Sequence, residues 1–229
     1  MKKLLVGLMV MGLVGVATAD IILDWSFSGT TPIVNQVAND VIAANLDTGG
    51  IYNDLTRGAG AGTSAGGSSF RTTGFQNNGI AVGNTDYFQF IVSAASGYTL
   101  SLTGITGAFA GTTTFSADPG VSHQWGYSFD GSSFTLIDSP VARIGNGTSS
   151  FDLSGVGALQ NVGASSDVYL RYYATGQTTT GGWGFFSTGG TASALAVDGT
   201  ISVIPEPSVF ALISIGALGI VRFMRRRQA

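Results

Sequence analysis

An antiparallel β-sandwich, of jelly-roll type, is the fold this sequence predicts. Apolar and polar residues alternate with period two in several short runs, the pattern of strands whose successive side chains point to opposite faces. Clusters of Gly, Asp, Asn and Ser separate those runs, and these residues supply turn conformations. Between Asp20 and Ile204 there is no Lys and no Glu, so nothing there reads as an amphipathic helix with a charged outer face.

Residues 20–27 read as the first strand, with Ile21, Leu23, Trp25 and Phe27 alternating against Ile22, Asp24 and Ser26. Residues 29–80 are less regular. A polar–apolar mixture from Val37 to Leu46 is followed by a Gly/Ala/Ser stretch over 57–69, which has the composition of a flexible linker. The segment before it is too short to build its own core, so a surface excursion within one domain is expected. From Asp86 the alternation sharpens: Phe88, Phe90 and Val92 share one face. Ser96-Gly97 makes a turn, and Tyr98, Leu100 and Leu102 share a face of the next strand. Trp125, Tyr127 and Phe129 alternate up to Asp130-Gly131-Ser132-Ser133, and Phe134 and Leu136 lead away, as in a hairpin. Further strands are predicted at 150–153, 168–174, 183–186 and 195–203. In the last, Leu195, Val197, Ile201 and Val203 share one parity.

The chain of 229 residues has room for one sandwich or at most two small domains. Four arginines (Arg57, Arg71, Arg143, Arg171) stand against twelve aspartates between Asp20 and Ile204, a formal charge of −8 that repels phosphate backbones; nucleic acid is not an expected partner. Few charges and many Gly, Ser and Thr resemble disorder, but the density of Phe, Tyr and Trp suffices for a core. The chain has no cysteine, which excludes thiol catalysis, thiolate metal sites and thiol-linked anchoring.

Little catalytic chemistry is legible. His123 is the only histidine, placed just before an apolar strand, and reads as a loop or strand-edge residue. No Gly-x-Ser-x-Gly elbow accompanies it. Glycoside hydrolysis needs an acid–base carboxyl pair. Most aspartates sit beside turn residues, as in Asp118-Pro119-Gly120, Asp130-Gly131 and Asp198-Gly199, where the carboxylate bonds the local backbone. No cofactor is expected. A structural calcium ion on loop aspartates and carbonyls is compatible with the composition, although no Asp-x-Asp-x-Asp-Gly run is present. The glycines of 57–67 lack the Gly-Lys-Ser/Thr of a phosphate loop, and Asn146-Gly147-Thr148 reads as a tight turn. Trp125, Tyr173 and Trp183 are the candidates for stacking on a sugar, against the commoner fate of such rings in a core.

The two ends are more specific. Met1-Lys2-Lys3, the apolar stretch Leu4 to Val16 and the small residues Ala17-Thr18-Ala19 form the three parts of a secretory signal peptide over 1–19, with cleavage before Asp20. The alternative, an N-terminal anchor, suits poorly an apolar run this short ending at Ala-x-Ala. The domain then covers 20–203. Over 204–229, Pro205-Glu206-Pro207 precedes an apolar run from Val209 to Val221, followed by Arg222 and Arg225-Arg226-Arg227. Thirteen helical residues cover about 20 Å, so crossing a bilayer core of roughly 30 Å requires flanking residues and snorkelling arginines. The positive-inside bias puts the arginines in the cytoplasm and the domain outside. A transmembrane helix with an extended, proline-flanked glutamate at its outer end is expected.

Pro205-Glu206-Pro207, the short apolar segment and the arginine cluster resemble the PEP-CTERM sorting signal, found in Gram-negative and related bacteria that often make exopolysaccharide. Glu206 is the only glutamate in the chain. The resemblance covers about 25 residues and implies recognition by exosortase, a transpeptidase-like membrane enzyme, after passage through the secretion machinery. It also implies transient anchoring in the inner membrane, cleavage near the motif and release to the cell surface or outside. Leu55-Thr56-Arg57-Gly58, Phe70-Arg71-Thr72-Thr73-Gly74, Tyr127-Ser128-Phe129-Asp130-Gly131 and Val197-Asp198-Gly199-Thr200 resemble stretches of domains that such proteins carry. No activity comes with that likeness.

The expectation is thus a non-catalytic surface or matrix protein of the cell envelope. A carbohydrate-binding module associated with exopolysaccharide is the alternative, and a glycoside hydrolase a more distant one.

Overall fold

The computed structural model describes residues 19–29, 32–111, 116, 118–178 and 181–205. In chain order the strands are β1 (Asp20–Trp25), β2 (Gln36–Val37), β3 (Val41–Ile42), β4 (Asp54–Arg57), β5 (Ser69–Thr72), β6 (Tyr87–Val92), β7 (Tyr98–Ala110) and β8 (Val121–Ser128). They continue with β9 (Thr135–Leu136), β10 (Val141–Arg143), β11 (Gly147–Asp152), β12 (Val162–Gly163), β13 (Val168–Thr175), β14 (Trp183–Phe186) and β15 (Leu195–Val203). Two antiparallel sheets result. One runs β3-β1-β15-β7-β14-β5, with β11 and β12 also paired to β7; the other runs β10-β8-β13-β6-β4-β2, with β9 on β8. The expected all-β, two-sheet architecture is present. Among the described residues no helix is long and apolar enough to cross a membrane.

β15 lies between the first strand and the longest one, and the register steps on both sides of it. Against β7 the step falls between Asp198 and Gly199, which pair with Gly104 and Leu102 and leave Thr103 over. Against β1 it falls between Ile21 and Leu23, leaving Ile22 over. An extra residue reverses the facing of everything beyond it. On β7 the buried set therefore changes from Leu100 and Leu102 to Ile105 and Phe109. On β1 the strict alternation expected for 20–27 fails at one point, because Ile22 turns inward with Leu23 while Ile21 is exposed.

Facing side chains of the two sheets fill one aromatic core. Trp25 meets Phe90 at 5.1 Å between ring centroids, Phe70 meets Phe88 at 4.8 Å, and Phe109 stacks on Tyr172 at 5.5 Å. Leu23, Leu55, Leu100, Leu170 and Leu195 close the gaps and are fully buried. Burying each large apolar side chain contributes about 1.5–3 kcal/mol, so this core is what offsets the ordering of a glycine-rich backbone.

The Gly/Ala/Ser stretch is part of this domain. Gly58 N–H donates to the Tyr87 carbonyl at 2.9 Å, Gly60 N–H to Thr85 at 3.0 Å, and Ser64 N–H to Arg71 at 3.1 Å. A Cβ on Gly58 would lie 2.2 Å from the Thr85 oxygen, so glycine there records close backbone approach. Arg57 anchors the same region. Its guanidinium lies 3.7 Å over the Phe70 ring and donates to the carbonyls of Ile33, Val34 and Arg71 at 2.6, 3.0 and 2.8 Å. Burial lowers its pKa to about 10.

Two sequence expectations are corrected. His123 is no edge residue: it sits within β8, paired to Val141 of β10 and Ala174 of β13, and is fully buried. Asp198-Gly199 is no turn but the site of the register step inside β15. The apolar stretch 4–16 with Ala17, and Glu206, Pro207, the apolar run 209–221 and Arg225, Arg226 and Arg227, lie outside the described residues.

Candidate functional site

Strand register brings the end of β15 to one pole of the sandwich and points the start of β1 toward it. At that pole Val92 lies opposite Val168, Ser128 opposite Tyr169, and Val203 opposite Tyr98. Asp20 pairs with Gly199, four residues before Val203, so β1 starts alongside the middle of β15 and its N-terminal side points toward that pole. β15 stays hydrogen-bonded as far as Ile204, whose N–H donates to the Gly97 carbonyl at 2.8 Å. Gly97 has a φ of 86°, a conformation a side chain would oppose, in the predicted Ser96-Gly97 turn. Pro205 has no N–H and cannot extend the ladder. Ala19, Asp20 and Pro205 are all exposed.

The loops of the same pole are tied down by side chains. Asp130 Oδ1 accepts the N–H groups of Ser132 and Ser133 at 2.8 and 2.7 Å and the Ser128 hydroxyl at 2.8 Å. Those backbone donors hold its carboxyl well below the usual range. The Tyr52 hydroxyl donates to Asp167 at 2.8 Å, which raises the tyrosine's pKa. Beside the Asp130 turn, Phe129 is 42% exposed and meets Tyr127 edge to face at 5.8 Å. It borders a shallow cavity of about 320 Å³, lined also by Gln160, Asn161, Val162 and Ser166. Gln160 forms a wall of it, its amide donating to the carbonyls of Leu102 and Leu153 at 2.8 and 3.2 Å.

The three rings expected to stack on a sugar are not available to one. Trp125 and Trp183 are core residues, 1% and 0% exposed. Trp125 packs against Phe90 and Tyr172, and Trp183 donates its indole N–H to the Tyr172 hydroxyl at 2.8 Å. Tyr173 is fully buried too, and its hydroxyl donates to the Val82 carbonyl at 3.2 Å. Among the described residues the exposed ring is Phe129. Sequence reasoning passed over it because alternation groups it with Trp125, whereas β8 ends at Ser128 and leaves Phe129 beyond the sheet.

His123 is enclosed by aromatic rings. It stacks on Phe109 at 4.8 Å and meets Phe151 edge to face at 5.6 Å, and neither ring nitrogen has a hydrogen-bond partner. Burial foremost, and the positive charge of Arg143 next, lower its pKa to about 4. No carboxylate orients it as a general base. Among the carboxyls, Asp24 and Asp86 are buried. Burial raises both, with the charge of Asp40 adding to the effect at Asp24. Asp24 accepts the Ser193 hydroxyl at 2.6 Å, and Asp86 accepts the Asn77 amide at 2.8 Å. Among the described residues no three His, Cys, Asp or Glu side chains gather as a metal site would require.

No family model matches the chain, and no curated protein does. One solved structure is similar in part: a mutant of Xylanase10C from Cellvibrio japonicus, in complex with xylopentaose. The TM-score is 0.36 at 13% sequence identity, over 80% of this chain and 29% of that one. The chain thus spans less than a third of that structure.

Proposed function

We propose that this chain is an exported, non-catalytic envelope or matrix domain, sorted and processed through a PEP-CTERM-type signal. One observation carries the reading: the last strand stays paired as far as Ile204, immediately before the exposed Pro205 that opens Pro205-Glu206-Pro207. Two prolines flanking Glu206 disfavour helical continuation, so the sequence of the motif favours an extended form that a processing enzyme can grip. The exposed Asp20 at the start of β1 suits cleavage after Ala19. The two long end strands lie side by side in one sheet, which supports jelly-roll winding. Exosortase, the secretion machinery and the inner membrane are the partners this reading requires. Mass spectrometry of the protein from its native host tests it: the expected termini are Asp20 and a position near Glu206. A mature polypeptide still ending at Ala229 overturns it.

A second reading, binding of a carbohydrate such as exopolysaccharide, moves from the buried rings to the Phe129 cavity, where an exposed aromatic face adjoins the side chains of Asn161 and Ser166. Rings stack on the C–H faces of sugars, and amides and hydroxyls bond their edges. Loss of polysaccharide retention in Phe129→Ala, with the fold intact, favours it; unchanged retention removes it. Hydrolysis has less support, since the interacting carboxyls Asp24 and Asp40 lie at the β1–β3 edge with Asp24 closed over by Ser193.

A further inference from the structure

We infer that the pole carrying the end of β15 rests on the lipid surface while the chain is anchored, with Ile51, Phe129, Val203 and Ile204 at the contact. The inference rests on the anchoring reading above and adds an orientation and an interface to it. The geometry is set by chain length. Only Glu206, Pro207 and Ser208 separate Pro205 from the apolar run that begins at Val209. Four residue steps span at most about 14 Å when fully extended. The headgroup layer on each side of a bilayer is itself about 5–8 Å deep. β15 carries no slack, because it is hydrogen-bonded up to Ile204. A domain held this closely cannot turn its opposite pole to the membrane.

What the near pole presents is suited to that position. Val203 is 66% exposed, Ile51 61%, Ile204 44% and Phe129 42%. They come from different elements: the end of β15, the loop before β4 and the loop after β8. Apolar side chains at an interface gain from partial burial in the headgroup–acyl boundary. The loops 43–53, 93–97, 129–134 and 153–167 of this pole contain no Lys or Arg, and they carry Asp47, Asp130 and Asp167. The partner is accordingly a zwitterionic lipid surface, and anionic headgroups oppose the contact.

The chain has no cysteine, so single labels can be placed freely. The full chain is reconstituted in phosphatidylcholine vesicles containing brominated lipid. A fluorophore is attached to Ile51→Cys or Val203→Cys and, as controls at exposed positions toward the other pole, to Val82→Cys or Val141→Cys. Labels at 51 and 203 are expected to be quenched several-fold more than labels at 82 and 141, and the difference to shrink when phosphatidylglycerol replaces part of the phosphatidylcholine. Equal quenching at both poles in protein that floats with the vesicles overturns the inference and leaves the anchor standing. Failure of the protein to float with the vesicles overturns the anchor and the contact together.

Discussion

Trp183 on β14 and Tyr172 on β13 join the two sheets through a buried hydrogen bond, the indole N–H donating to the phenolic oxygen at 2.8 Å. Both rings are fully buried, so neither group has water as a substitute partner. Burial pushes the Tyr172 hydroxyl well above its ordinary pKa, against the smaller lowering by the bond it accepts from Trp183, and it stays neutral.

Tyr172→Phe keeps the ring and strands the indole N–H. It should cost about 1–3 kcal/mol of stability, the desolvation penalty of an unpaired donor. Urea denaturation measures it, and the double variant with Trp183→Phe should show a coupling of about 0.5–3 kcal/mol. A Tyr172→Phe variant as stable as the parent would mean that the sheets are not joined here.

His123 makes stability fall in acid. Its folded pKa is about 4, below the ordinary value of 6.5, so between those values the unfolded chain binds a proton that the folded chain refuses. Unfolding free energy should therefore drop as pH falls from 6.5 towards 4, by on the order of 3 kcal/mol from this group. The raised carboxyls Asp24, Asp54 and Asp86 act in the opposite sense and are common to both proteins compared. His123→Phe should flatten the pH dependence relative to the parent. Parallel curves would refute a neutral, enclosed imidazole.

Gly58 and Gly62 lie in one low-complexity stretch and should respond oppositely to alanine. A Cβ at Gly58 meets the Thr85 oxygen at 2.2 Å and the Tyr87 ring at 2.7 Å, and the backbone must shift. Gly58→Ala should lose about 1–3 kcal/mol. Gly62 has nothing within 4 Å of a Cβ, and Gly62→Ala should be neutral or gain up to about 1 kcal/mol by stiffening the unfolded chain. Thermal melts of the two variants give the comparison, and similar losses would indicate that the stretch is not packed as described.

Asp130→Ala removes the acceptor that gathers the turn after β8. Amide exchange over residues 128–136 should accelerate, while Asp130→Asn, which keeps Oδ1, should retain much of the protection. Because the folded carboxyl is depressed, the turn should also loosen as pH falls below the ordinary aspartate range, the sign expected for a group whose charged form the fold prefers. Equal exchange in the parent and both variants would discount the carboxylate's role.

Much of the strand pattern was legible because it depends on neighbours in the chain. The predicted strands at 183–186 and 195–203 coincide with β14 and β15, and Ser96-Gly97 turns as its φ requires. β7 was longer than alternation suggested: Thr103 interrupts the period, and only a partner strand shows that the residues beyond it continue the same ladder. The glycines of 57–69 were ambiguous for a related reason. Close backbone approach and flexibility use the same residue, and only the partner at Thr85 or Tyr87 distinguishes them.

The amino-acid sequence alone determined the strand periodicity, the acidic, cysteine-free character of the domain and the order of basic, apolar and proline residues at its ends, all properties of residue type and spacing. Which faces of the strands are covered was decided by tertiary structure. Trp125, Trp183 and Tyr173 could as well have been platforms as core until a second sheet and the loop at Val82 covered them, whereas Phe129 stayed out because β8 stops one residue short of it. Burial is a relation between segments distant in the chain. The pairing of β1 with β15 is likewise a matter of strand order and register, which no local pattern of residues contains.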